Sequence, residues 1–266
     1  KGIVRISQLK LAKGSDSEFY INVDGKSAAS FSNIDIPAKD SIFIFIQAKL
    51  KTNNSDTVII HEDSIIFSVN KNIQDVNLFS GGQDVNIMRG LSVNTQIWDS
   101  KKPFLIFDSL VVNKGETLTI GKGCRVHFHY GADMIIYGNL KIEGSMEEPV
   151  MFMQDRLENK YKSVPGQWGE ILFMPCSEYS DINFLVLKNS TTGLHIKDSR
   201  DNRFKLNISN SKILNSSFAS VYCEKTEINS YNCIFANGDN YLLKLMGGGK
   251  YIFNHVTCSN YFNYVT

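Results

Sequence analysis

Histidines, mixed-charge loops and a glycine run are the features of this chain with residue types that could do chemistry. His127 and His129 alternate along one short β-like run, and the strand register developed below sets His195 in the same column two coils further on. Stacked strands lie about 4.8 Å apart, which separates His127 from His195 by roughly 9–10 Å. Zinc takes three or four close ligands, so no metal site is expected there. Two longer turns carry a denser mixture. The segment 154–167 holds Asp155, Arg156, Glu158, Lys160 and Tyr161, and the segment 197–203 holds Asp198, Arg200, Asp201 and Arg203. Carboxylates, guanidinium groups and an aromatic ring on loops held by a rigid scaffold suit recognition of a sugar. Asp198 and Asp201 lack the dense oxygen-ligand spacing of a calcium loop. Gly247-Gly248-Gly249-Lys250 fails as a phosphate loop: position 244 is Lys where Gly is needed, and Tyr251 stands where Ser or Thr would hold Mg²⁺. No cofactor is expected.

The elements that must position these residues are strands. Helical apolar periodicity is nearly absent, whereas short alternating runs of Val, Ile, Phe and Thr recur along the whole chain. The alternation predicts strands over 4–11, 18–23, 29–36, 41–50, 57–69 (with a break near His61) and 76–79. Turn residues such as Asp24-Gly25 separate them. This pattern suits a small β-sandwich over 1–90.

From residue 91 to 266 a repeat replaces that texture. Leu118-x-Ile120 recurs as Leu140-x-Ile142, and Val126-x-Phe128 as Val150-x-Phe152. Asn189, Asn215, Asn237 and Asn260 follow one another at steps of 26, 22 and 23 residues, each two places after an apolar residue. A period of 21–26 residues built from three short strands is one coil of a right-handed parallel β-helix, and the segment accommodates about six. Asparagine at a recurring bend takes the left-handed conformation and bonds its amide along the stack. The register puts Leu118, Leu140, Leu185, Ile213, Phe235 and Cys258 on strand one. It puts Val126, Val150, Leu194, Val221 and Leu243 on strand two, and Met134, Ile171, Leu206, Ile228 and Tyr251 on strand three. Both charged turns then fall between strands two and three of consecutive coils and stack into one lip. No adjacent carboxylate pair falls on the outward faces of strands one and two, which speaks against a conventional sugar-cleaving face.

Composition narrows the function classes. Twenty-eight basic residues balance 27 acidic ones, for a net charge of +1, without a basic stripe for nucleic acid. No apolar run approaches the roughly 18 residues of a membrane span. The five cysteines are odd in number and form no C-x-x-C pair, so neither a zinc knuckle nor a disulfide framework is expected. The register turns Cys233 and Cys258 inward, where a thiol acts as a small apolar group.

Two resemblances add expectations. Pro37-Ala38-Lys39-Asp40 leading into Ser41-Ile42-Phe43-Ile44-Phe45-Ile46 looks like the Ig-like modules that precede repeat domains in bacterial surface proteins. The runs Leu110-Val111-Val112-x-x-Gly115-x-Thr117-Leu118-Thr119-Ile120, Tyr137-Gly138-Asn139-Leu140 and Gly166-Gln167-Trp168-Gly169-x-Ile171 are similar to right-handed β-helix repeat proteins. That family, pectate-lyase-like in shape, occurs among Bacteroidetes surface lipoproteins. The resemblance implies an extracytoplasmic location, with any anchor in a segment outside this chain. It also implies a non-enzymatic binding or structural module whose partner is a glycan or another surface protein. The competing expectation is a polysaccharide lyase or glycoside hydrolase with its site on the lip.

Overall fold

The computed structural model describes residues 2–50, 59–99, 102–198 and 204–261. The chain divides into two compact units, residues 1–84 and 85–266.

The first unit holds two antiparallel sheets. In one, Val4–Leu11 lies between Ser30–Ile36 and Ile59–Val69, and Asn72–Gly82 pairs on the outer side of Ile59–Val69. In the other, Phe19–Val23 lies between Lys26–Ser27 and Ile44–Ala48. Alternate residues of several strands, among them Ile6, Leu9, Leu11, Phe19, Ile21, Val23, Ile65 and Leu78, meet in one core. Asp24 and Gly25 both take positive φ, as a two-residue hairpin turn requires. Ile59–Val69 runs unbroken through His61, whose Nδ1 is hydrogen-bonded to Glu18.

The second unit is a right-handed parallel β-solenoid of about seven turns. Its strands stack on three faces. Face A begins with residues 86–89 and 104–107 and continues through Arg125–Phe128, Val150–Gln154, Leu185–Lys188, Lys212–Ser216, Ile234–Gly238 and Thr257–Ser259. Face B holds residues 110–112, Asp133–Ile136, Ile171–Phe173, Thr192–Ile196 and residues 219–224 and 241–246. Face C holds Gln96–Trp98, Thr117–Gly121, Asn139–Glu143, Ser180–Asn183, Phe204–Ser209 and residues 227–231 and 249–254. Inward positions form continuous columns. One runs Phe104, Val126, Phe152, Leu187, Ile213, Phe235 and Cys258. Nearly all such side chains are fully buried.

Two expectations change here. Asn86–Val93 and Gln96–Trp98 pair with the next coil, so the solenoid gains a coil at its start and takes in residues before 91. The columns also shift by one strand after the second expected coil. Leu118 and Leu140 stack on face C with Ser180 and Leu206, not with Leu185, and Phe152 stacks on Leu187. The cause is Ser180–Asn183, a strand with a single apolar residue. Its inward Ser180 is fully buried and accepts the Leu140 N–H at 3.0 Å, so a hydroxyl does the work of an apolar side chain there.

The corners are held by amide ladders. Asn189, Asn215 and Asn237 have φ of 62°, 58° and 57°. Asn237 Nδ2 donates to Asn215 Oδ1 at 3.2 Å, Asn215 to Asn189 at 2.9 Å, and Asn189 to Gln154 Oε1 at 2.8 Å. Asn260 departs from the expected ladder. Its Nδ2 donates to the Gly238 carbonyl at 2.8 Å, and the acceptor at Asn237 is taken by the Tyr261 N–H at 3.2 Å. A second ladder at the corner between faces C and A runs from Asn232 through Asn210 to Asn183, at 2.7 and 2.8 Å. Cys233 is buried as expected, whereas Cys258, although its backbone continues the inward column, is exposed.

Candidate binding groove

The loop after Val150–Gln154 leaves the corner between faces A and B, and the asparagine ladder fixes it there. Gln154 Nε2 donates to the carbonyls of Arg156 and Tyr161, at 3.1 and 3.3 Å. Asn189 Nδ2 lies within reach of the carbonyls of Tyr161 and Lys162 besides that of Gln154. A segment that would otherwise spend its backbone groups on solvent is thereby tied to the core stack. Trp168 closes it: the indole is buried, lies flat on Phe128 with 4.0 Å between ring centroids, and donates to the Lys188 carbonyl at 2.7 Å.

On this base, His129, Tyr130, Asp155, Arg156, Glu158 and Gln167 line an open groove. His129 Nδ1 lies 2.6 Å from Asp155 Oδ2, one coil on. Phe107 lies beneath the imidazole at 4.7 Å, and the Arg89 guanidinium covers Phe107 at 4.6 Å. The rim is Arg156, which bonds Glu158 at 3.2 Å and stacks over Tyr161 at 4.1 Å; Lys160 lies 4.9 Å from the same ring. Tyr130 is 80% exposed. The groove therefore offers carboxylate acceptors, a guanidinium donor, an amide and an open aromatic face.

Of the residues expected on the lip, Asp155, Arg156, Glu158, Lys160 and Tyr161 are gathered on this one loop. Lys197 and Asp198, the described start of the second turn, do not stack on them: they follow Thr192–Ile196 at the corner between faces B and C, one corner further round. The one-strand shift of the columns is the reason. Asp198 stands there with a buried Oδ1 that meets no partner among the described residues. Arg200, Asp201 and Arg203 lie outside the described residues.

The same shift exposes a charged cluster that the expected register hid. His195 belongs to face B, where it pairs with Leu172 and Tyr222 rather than sharing a column with His127. Its Nδ1 lies 3.1 Å from both carboxylate oxygens of Glu170 on one side, and its Nε2 lies 3.2 Å from Glu224 on the other. Tyr222 stacks flat on the imidazole at 4.4 Å. Glu170 is set by Asp133, whose Oδ1 accepts the Glu170 N–H at 2.8 Å. Only glycine fits between them, because a Cβ on Gly169 would stand 1.7 Å from that oxygen.

Burial opposes charge on His195, but the hydrogen bonds and charges of Glu170, then Glu224, outweigh it and raise its pKa. The Tyr222 hydroxyl, followed by His195, holds the Glu224 carboxyl below the usual range against its partial burial. His127 behaves in the opposite way. It is buried, its Nδ1 donates to the Gln154 carbonyl at 3.0 Å, and desolvation lowers its pKa. Chemically, the cluster is closed. Both imidazole nitrogens of His195 are occupied by carboxylates, which leaves neither free to take a proton from a substrate.

No protein-family model matches the chain, and neither the curated proteins nor the solved structures give a match.

Among the described residues no group of three His, Cys, Asp or Glu side chains is placed to hold a metal ion. Gly247, Gly248 and Gly249 all take positive φ and bend the strand Tyr241–Asn254 at the corner between faces B and C.

Proposed function

We propose that this chain is a non-enzymatic binding module of an extracytoplasmic surface, and that its ligand is a glycan held in the groove of His129, Tyr130, Asp155, Arg156, Glu158 and Gln167. The observation that carries the reading is the composition of that groove. Carboxylate, guanidinium and amide groups beside an exposed tyrosine ring match the hydroxyls and the apolar face of a pyranose. The closed state of the Glu170–His195–Glu224 cluster supports binding over cleavage, since its one imidazole is committed on both sides. The resemblance to pectate-lyase-like repeat proteins of surface lipoproteins supports the location. In this reading the two-sheet unit of residues 1–84 is an Ig-like spacer.

A glycan array followed by intact-mass analysis of the bound oligosaccharides tests the proposal. The expected result is retention of one glycan class at unchanged mass, weakened at least about tenfold by Asp155→Ala or Arg156→Ala. Shortened oligosaccharides would establish a polysaccharide lyase or hydrolase instead. Retention equal in both variants would place the ligand elsewhere.

A further inference from the structure

Further along face B, one ammonium group is enclosed by aromatic rings. Lys244 Nζ lies 4.4 Å from the centroid of Phe218, 4.6 Å from that of Tyr222 and 5.3 Å from that of Tyr241. The rings are not a flat patch. Phe218 meets Tyr222 at 6.0 Å and 75°, and meets Tyr241 at 5.8 Å and 79°. Near-perpendicular walls surround the cation. Strand register builds this arrangement: Tyr222 and Lys244 are paired outward residues of adjacent coils, and the Tyr241 N–H bonds the Phe218 carbonyl at 3.0 Å. Among the described residues Lys244 makes no ion pair, and Glu224 faces the Tyr222 hydroxyl and His195 instead. The enclosure therefore stabilises its cation through ring faces alone. Such a site discriminates by hydration: a primary ammonium is strongly hydrated, whereas a methylated ammonium is released from water at low cost.

We propose that Phe218, Tyr222 and Tyr241 form an aromatic cage for a trimethylammonium group, and that Lys244 is its built-in competitor. A ligand displaces the lysine side chain, whose four-carbon stem lets the ammonium swing to the rim. There it meets any anionic group the ligand carries, so a phosphocholine headgroup gains a partner that choline lacks. This site is separate from the groove of Asp155 and Arg156 and does not depend on the glycan reading.

The test is a titration of the whole chain with choline, phosphocholine and the uncharged isostere 3,3-dimethylbutan-1-ol, followed by the NMR signals of the tyrosine rings. In Lys244→Ala the cage is vacated, and choline is expected to bind at least about tenfold tighter than in the unaltered chain. Phosphocholine should exceed choline only where Lys244 is present. Tyr241→Ala, at an exposed position compatible with folding, should abolish both responses. Equal binding of the uncharged isostere would reduce the site to an apolar patch. Absence of any choline response in a folded Lys244→Ala chain would overturn the proposal.

Discussion

Asn215 donates its side-chain amide to Asn189 at 2.9 Å across 26 residues of sequence, and both hold the left-handed backbone conformation at the same corner of successive coils. Each asparagine thus does two things: it turns the chain and closes a buried hydrogen bond along the stack. Asn215→Ala removes both. A buried lost partner costs about 1–3 kcal/mol, and a left-handed alanine adds roughly 1 kcal/mol. Asn215→Gly keeps the backbone conformation and loses only the amide. Urea unfolding should rank the glycine variant between the unaltered chain and the alanine variant. Equal destabilisation by both would mean that the φ of 58° carries no weight.

The imidazole of His195 makes stability depend on pH in a defined direction. Its pKa in the folded chain is raised above the unfolded value of about 6.5. Its contribution is therefore fully present below that value and is lost as pH rises through the folded pKa. Glu224 acts on the acid side: its pKa is lowered, so its contribution is present above the unfolded value of about 4.3 and is lost as pH falls through the folded one. Melting temperatures measured from acid to alkaline pH should fall at both ends. Glu224→Gln should move the alkaline fall to lower pH, because the imidazolium loses one of its two carboxylates. An alkaline limb unmoved by that substitution would show that Glu224 does not hold the proton on His195.

Thiol reactivity should divide the five cysteines. Cys176 and Cys258 are exposed, whereas Cys124, Cys223 and Cys233 are buried. Burial pushes the Cys223 thiol up to about 12, so little thiolate exists there at neutral pH. Under native conditions iodoacetamide should modify Cys176 and Cys258 first, Cys258 the more slowly of the two because burial pushes its thiol up, with the other three reacting on the timescale of unfolding. Peptide mapping reads this directly. Early modification of Cys223 would contradict the packing of face B.

The repeat itself was legible in the sequence because stacking demands like residues at like positions, and apolar alternation with recurring asparagines reports both. The three-strand coil and the ladder at Asn189, Asn215 and Asn237 are both read from spacing alone. The phase of the coils was not legible. Face C at residues 180–183 carries its inward position on Ser180, and nothing in a serine announces that its hydroxyl will be used by a backbone N–H one coil away. That one strand decides whether His195 stacks in the column of His127 or beside Leu172. The contact of Glu170 with His195 is invisible until it is placed. Half of the charged lip was legible for a different reason: residues 155–161 are neighbours on one loop, so their proximity needs no register.

The placement of that strand has a direct test in Ile182. Ile182 pairs with Ile142 in one coil and with Ile208 in the next, and it is fully buried between them. If residues 180–183 were part of a surface loop, Ile182→Ala would change stability by about 0.5 kcal/mol or less. As the inward residue of a face C strand, it should cost about 2–5 kcal/mol, through lost burial and the cavity left between two isoleucines. Asp181→Ala is the matched control. Its side chain points outward and accepts from Asn207 Nδ2 at 2.7 Å, so removing it should cost about 1 kcal/mol. A large loss at Ile182 with a small one at Asp181 fixes the inward–outward alternation of the strand. Comparable losses would return the segment to a loop and, with it, His195 to the column of His127.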